Sequence, residues 1–214
     1  MGDNVVMDLP ADLVLPLPSG EPWWYWLGGR PALDFVNTLR ERWWRNVETL
    51  VTPEDLAAWL QRAELLAPGS DARPSMALLH RARELRESID AAVVAVSRGE
   101  VVEPRALQTI DGWLPAAVTY ATLSPGPDGA PLLAVAAPPD RIVHAIGLAA
   151  LDAARMLGAP EQRARARICA SDTCSARFYD RSPTAARTWC SMRACGNVAK
   201  ARRHRERVRG ARPS

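Results

Sequence analysis

Cys169-Ala170-Ser171-Asp172-Thr173-Cys174 and, downstream, Cys190-Ser191-Met192-Arg193-Ala194-Cys195 hold all four cysteines of the chain in the pattern C-x4-C-x15-C-x4-C. Two short cysteine pairs separated by a spacer are the sequence form of a tetrahedral four-thiolate zinc site. Four sulfur ligands leave the ion no open position, so one structural zinc is expected. The polar run Ala170 to Thr173 suits a turn between the first two ligands. Phe178 and Tyr179 follow as strand residues and a small apolar plug. Ser191 suits a helix N-cap, which places Cys190 just before the cap and Cys195 at the fourth helical position. Residues so spaced face each other across a helix start. The positive helix end, with Arg187 and Arg193 close by in sequence, favours thiolate over thiol. Gaps of four are wider than the common two, so the knuckles differ from a standard zinc ribbon. Two disulfides are the other use of four cysteines. The segment Met1–Pro18 lacks a basic start and is broken by prolines and aspartates, so it does not read as a secretory signal. The expected compartment is the reducing cytoplasm, where cysteines more often bind metal than pair.

Around this module the charge changes sign. Residues 1–162 carry 13 Lys and Arg against 21 Asp and Glu, a net −8, and residues 163–214 carry 14 against 3, a net +11. An acidic body with a basic tail points to a polyanion, nucleic acid being the commonest, against the alternative of a merely solvated tail. The helix expected after Cys195 places Lys200, Arg203 and Arg207 on one face, with Arg202 and Arg205 beside them. Only Glu206 offsets this charge. These five residues are the expected phosphate contacts, with Arg187 and Arg193 as positioning contacts near the zinc. A zinc-anchored helix is rigid enough for a major groove, so duplex DNA is the expected partner. RNA is the alternative, and the module offers few aromatics for stacking bases.

The rest of the chain reads as a mostly α body with one small β-hairpin, an α+β fold. Residues 1–22 are Pro-rich and aperiodic, and are expected to form a flexible arm. Trp23 to Trp26 and Gly28-Gly29-Arg30 follow. Thr52, Pro53 and Asp55 open a helix that Gly69 can end. Further helices are expected over about 75–98, from Pro104 to Val118, and from Pro138 to Gly158. Two short strands are expected around Ser124-Pro125-Gly126-Pro127-Asp128-Gly129. Asp34, Asn37 and Thr38 share a face if they are helical. They then serve either helix-end hydrogen bonds or a small-ligand pocket walled by Trp23, Trp26, Trp43 or Trp44, with Arg30 for an anionic group. No apolar run reaches the roughly 18 residues of a membrane span. His80, His144 and His204 share no ligand spacing, no G-x-S-x-G, P-loop or H-E-x-x-H pattern occurs, and the cysteines are committed to metal. No enzyme is expected.

The run Trp189 to Asn197, followed by Lys200 to Arg205, closely resembles the CGNR zinc finger, as do Cys169-x4-Cys174 and Phe178. The run Gly28-Gly29-Arg30-Pro31-Ala32-Leu33-Asp34-Phe35-Val36-Asn37-Thr38 is similar to the ABATE domain that accompanies it. The resemblance implies an ABATE-like helical domain over 23–162 and a treble-clef-like zinc finger with a basic helix over 163–214. It also implies a bacterial stress-induced transcriptional regulator that binds DNA, which would place it on the nucleoid, while sensing of a small ligand by the first domain is the expectation of the pocket reading above. An RNA- or protein-binding module with a structural zinc is the alternative. The fourth letter of the family signature is arginine, whereas this chain has Val198 there.

Overall fold

The computed structural model describes residues 9–69, 73–136 and 138–210, except the side chains of 203, 206 and 209. The element order is α1 (Pro31–Val36), β1 (Leu39–Arg40), β2 (Val47–Glu48), α2 (Pro53–Arg62), α3 (Met76–Arg98), α4 (Pro104–Asp111), β3 (Ala121–Pro125), β4 (Pro131–Val135), α5 (Arg141–Gly158), α6 (Pro160–Arg163), β5 (Ala166–Ile168), β6 (Arg177–Tyr179) and α7 (Asn197–Gly210). The strands pair as three antiparallel hairpins, β1–β2, β3–β4 and β5–β6. The expected mix of helix and small sheets is what the chain forms.

Local chemistry sets the helix ends. Thr52 Oγ1 accepts from the Asp55 N–H while the Asp55 carboxylate accepts from the Thr52 N–H, a reciprocal cap for α2. The helix stops at Ala63, well short of Gly69. Ser75 caps α3, and Gly99, at φ 71°, closes it in the left-handed region that glycine enters without cost. The helix expected over 104–118 is two pieces, α4 and a tight turn at Leu114–Ala117. α5 starts at Asp140 rather than at the preceding prolines, because the Asp140 carboxylate accepts from the N–H groups of Ile142 and Val143.

These helices close one core. Trp59, Phe35, Leu33, Leu56, Leu60, Leu79, Leu85, Ile89, Ile142 and Ile146 are wholly buried in it. Truncating a side chain such as Trp59 to alanine would cost about 3–5 kcal/mol by leaving a cavity. Glu48 on β2 is tied to Arg86 on α3 by two bonds of 2.7 Å, a bidentate pair that fixes the small hairpin on the helix.

The flexible arm is a correction. Leu9 and Leu17 are buried with Val47, and partly buried Leu13, Trp23 and Val51 pack on them. The Asp55 carboxylate that caps α2 also accepts from Ser19 Oγ and the Gly20 N–H, both at 2.9 Å. Prolines here shape a seated strap. Residues 1–8 lie outside the described ones.

Candidate metal centre

β5 and β6 form a short hairpin with register Ala166↔Tyr179, Arg167↔Phe178 and Ile168↔Arg177. Cys169 and Cys174 stand in the loop joining them. The Cys169 N–H donates to the Ala176 carbonyl at 2.9 Å and closes the hairpin mouth, and the Cys174 N–H turns back to Ser171 O at 3.1 Å. Asp180 shapes the return segment. Its carboxylate accepts from the Ser182 N–H at 2.9 Å and the Arg187 N–H at 2.7 Å, which brings Cys190 over the hairpin. Ser191 then caps the next turn, accepting from the Ala194 N–H, and the wide turn Met192–Gly196 runs into α7. Cys190 and Cys195 therefore flank a helix start, as the sequence implied.

The four Sγ atoms lie within 4.8 Å of one another. Cys174–Cys190 and Cys190–Cys195 are each 3.7 Å apart. A regular tetrahedron with Zn–S near 2.3 Å has sulfur–sulfur edges of about 3.8 Å, so the spacing fits a zinc ion. It is far from the roughly 2.05 Å of a disulfide, and all four cysteines are free. Electrostatics agree. Hydrogen bonds from Cys174, Cys190 and Cys195 hold the Cys169 thiol far below the ordinary range, while those reaching from Cys190 and Cys195 to Cys169 push both of them far above it. Without a cation, four thiolates this close cannot coexist; a divalent ion removes the conflict. Tyr25, Ala176 and Phe178 pack around the sulfurs. Burial, and then the charge of Cys174, Cys190 and Cys195, push the Tyr25 hydroxyl well above the usual phenol range.

The finger is built into the body. The Tyr179 N–H donates to Gly28 O at 2.7 Å. A Cβ at Gly28 would stand 2.5 Å from the Asp34 nitrogen, so only glycine allows this approach to α1. The Arg42 N–H donates to Ser175 Oγ at 2.9 Å, and Trp43 Nε1 donates to Cys174 O at 2.8 Å. The Arg177 guanidinium lies over the Trp43 ring and pairs with Asp90 at 2.6 Å. Sequence reasoning missed these links. Only the position of Arg177 inside an apolar strand hinted at a buried partner.

The residues read as a ligand pocket are spread over the body interior. α1 ends at Val36, so Asp34 is helical, Asn37 is the cap and Thr38 lies beyond it. Arg30 pairs with Asp152 at 2.6 Å and donates to Gln162 at 2.7 Å. Asp34 accepts from the Gly28 N–H at 2.7 Å. Asn37 bonds the Arg177 backbone, and Thr38 Oγ1 donates to Phe35 O. Trp26 stacks on Trp59 at 5.6 Å, and Trp23 packs on the Leu9–Leu17–Val47 cluster. A cavity of about 320 Å³ does lie between body and finger, lined among others by Tyr25, Asn37, Arg40, Trp44, Thr173 and Val198. Of the expected set, Asn37 and Trp44 line it.

The expected cationic contacts divide. Lys200, Arg193, Arg205 and Arg207 are exposed. Arg202 is paired with Asp172 on the knuckle. Arg187 is exposed as well, but its guanidinium donates to Cys190 O at 2.7 Å and lies 5.2 Å over the Phe178 ring, so it also braces the metal centre. The Arg203 side chain lies outside the described ones.

The family model described as a putative stress-induced transcription regulator, ABATE, matches residues 29–160, and the CGNR zinc finger model matches residues 165–208. No curated protein matches the chain. With four thiols set for a tetrahedral ion at the end of a helical body, the chain belongs to the ABATE family and carries a CGNR zinc finger that holds one structural zinc.

Proposed function

We propose that this protein is a transcription regulator that binds duplex DNA through its zinc finger and α7, in the cytoplasm and on the nucleoid. The observation that carries the reading is the coupling of metal to helix. Cys195 sits in the turn that leads into α7, and Lys200, Arg205 and Arg207 project from that helix into solvent. The centre has no open coordination position and its cysteines are all ligands, so the zinc holds the helix rather than performing chemistry. Binding of labelled duplex across a salt series tests the reading. Affinity should fall steeply with salt, and a footprint should separate a specific site from general charge attraction.

Exposed tryptophans favour a second reading. Trp43 and Trp44 are 48% and 60% exposed beside the knuckle, and Trp43 is held by its bond to Cys174 O. Such rings can stack unpaired bases. Tighter binding of single-stranded RNA than of duplex, lost in Trp44→Ala, would select that reading. The small ligand expected from the sequence is assigned to the body–finger cavity. A thermal-shift screen of metabolites on the intact protein tests this, since a true ligand should raise the melting temperature and Asn37→Ala should abolish the rise.

A further inference from the structure

The β3–β4 hairpin turns its apolar side to water. The register pairs Ala121 with Val135, Leu123 with Leu133 and Pro125 with Pro131. Directly opposed residues in an antiparallel pair share a face, so these six form one side of the hairpin. All are apolar, and Leu123, Leu133 and Val135 are 71%, 70% and 69% exposed. The other side carries Thr122, Ser124, Leu132 and Ala134, and there Ala134 is partly covered. This inverts the usual arrangement, in which the apolar face of an antiparallel sheet packs on the core and the polar one is solvated. The two strands pack chiefly on each other, and an isolated two-stranded hairpin is marginal in water.

We infer that the hairpin is a homodimer interface, two copies packing these faces together about a twofold axis. Charge selects the occupant. Between Gly112 and Pro139 the only charged residue is Asp128, in the turn. The body that carries the hairpin has a net −8, so two bodies approaching each other repel through their charged surface but meet without like-charge cost at the hairpin. Symmetry agrees with this. A twofold interface sets one patch against itself, and a face with no side-chain donor or acceptor needs no complementary pattern from its partner. Six side chains make a small patch against the roughly 20–30 residues a side of a standard interface, and the buried core contains none of them. The dimer is therefore reversible rather than obligate.

Sedimentation velocity of the zinc-loaded full chain, from about 1 to 200 µM, tests the inference. A monomer–dimer equilibrium is expected with a dissociation constant on the order of 10 µM. The double variant Leu123→Glu, Leu133→Glu should weaken it at least about 100-fold, since each change counts on both sides of the interface. Its zinc content and helical melting should match wild type, which separates lost association from lost folding. A wild type that stays monomeric throughout overturns the inference. So does a dimer unchanged by the double variant, or a monomer whose hairpin amides resist hydrogen exchange because another part of the chain covers the face. None of these readouts involves DNA, so the result is independent of the regulator reading.

Discussion

Asn37 stands beside Arg177 as a strand neighbour would: its side-chain N–H donates to the Arg177 carbonyl at 2.9 Å and its side-chain oxygen accepts from the Arg177 N–H at 2.8 Å. One buried side chain of the body thus completes the edge of the zinc-bearing hairpin. Replacing Asn37 by leucine, which has a similar volume, strands both backbone groups. At about 1–3 kcal/mol for each of the two unmade buried bonds, the chain should lose roughly 2–6 kcal/mol of stability. The loss should centre on the finger, so a chelator should strip zinc from the variant faster than from wild type while α-helical dichroism changes little. Equal chelation rates would mean that the finger does not lean on α1.

The charge states of the thiols set the proton count of metal binding. In the folded arrangement the shared hydrogen bonds hold Cys169 and Cys174 below the ordinary thiol range and Cys190 and Cys195 above it. Without metal the finger melts and its thiols return to ordinary values of about 8.5, so zinc loading near neutral pH should release about four protons, read by a pH indicator in weak buffer. Elemental analysis should give one zinc per chain. Cys190→Ser removes a soft ligand at the helix start, and zinc affinity should drop by several orders of magnitude. Loss of the metal should melt residues 165–210 and leave the 29–160 core folded, because its buried residues close on one another without the metal.

The metal centre was legible because ligand chemistry is local. Spacing alone marked the four cysteines, and Ser191 marked the helix start. Helix existence was legible from apolar period and caps, but the ends were less so. Gly69 looks like a stop signal, yet α2 stops at Ala63, and Asp140 rather than Pro138 starts α5. Function of polar residues was the least legible. Arg30, Asp34, Asn37 and Thr38 look like a binding site in a linear reading. Their partners Asp152, Gly28, Arg177 and Phe35 include residues up to 140 positions away, which no local pattern encodes. For the same reason Leu17 and Ser19 looked like part of a loose arm until Val47 and Asp55 supplied the contacts.

Asp34 gives the body a pH dependence of its own. Burial pushes its carboxyl up to about 7, against the pull of the Gly28 N–H and Arg181. A folded value above the unfolded one means that the folded chain keeps a proton which the unfolded chain has released. Between about pH 4 and 7 the folded state binds more protons, so this contribution is full below the unfolded value and is lost as pH rises through about 7. Asp34→Asn retains an acceptor for the Gly28 N–H and cannot ionise. It should match wild type at pH 4 and exceed it by roughly 2–4 kcal/mol at pH 8, measured by urea unfolding. A constant difference between the two proteins across this range would show that Asp34 does not titrate there.

The basic helix makes the DNA reading quantitative. Lys200, Arg205 and Arg207 are exposed on α7, and Arg193 is exposed on the turn before it, whereas Arg202 is tied to Asp172. If these four exposed cations each meet a phosphate, log affinity should fall against log salt with a slope of about −3.6, at roughly 0.9 per contact. Lys200→Ala with Arg207→Ala should bring that slope to about −1.8 and weaken all duplexes alike, because phosphate contacts carry no sequence. Asp172→Asn loosens the pair that draws Arg202 to the knuckle and should steepen the slope by about 0.9. Val198 occupies the place of the family arginine, is more than half exposed and lies one turn before Arg202. Val198→Arg should therefore add a further increment of about 0.9 if that side chain reaches the backbone of the duplex. These three changes act on one helix with the zinc ligands untouched, so zinc content should stay at one per chain in each variant. A slope that stays near zero in wild type, or one that Lys200→Ala with Arg207→Ala leaves unchanged, would remove α7 from the interface and shift the search to Trp43 and Trp44.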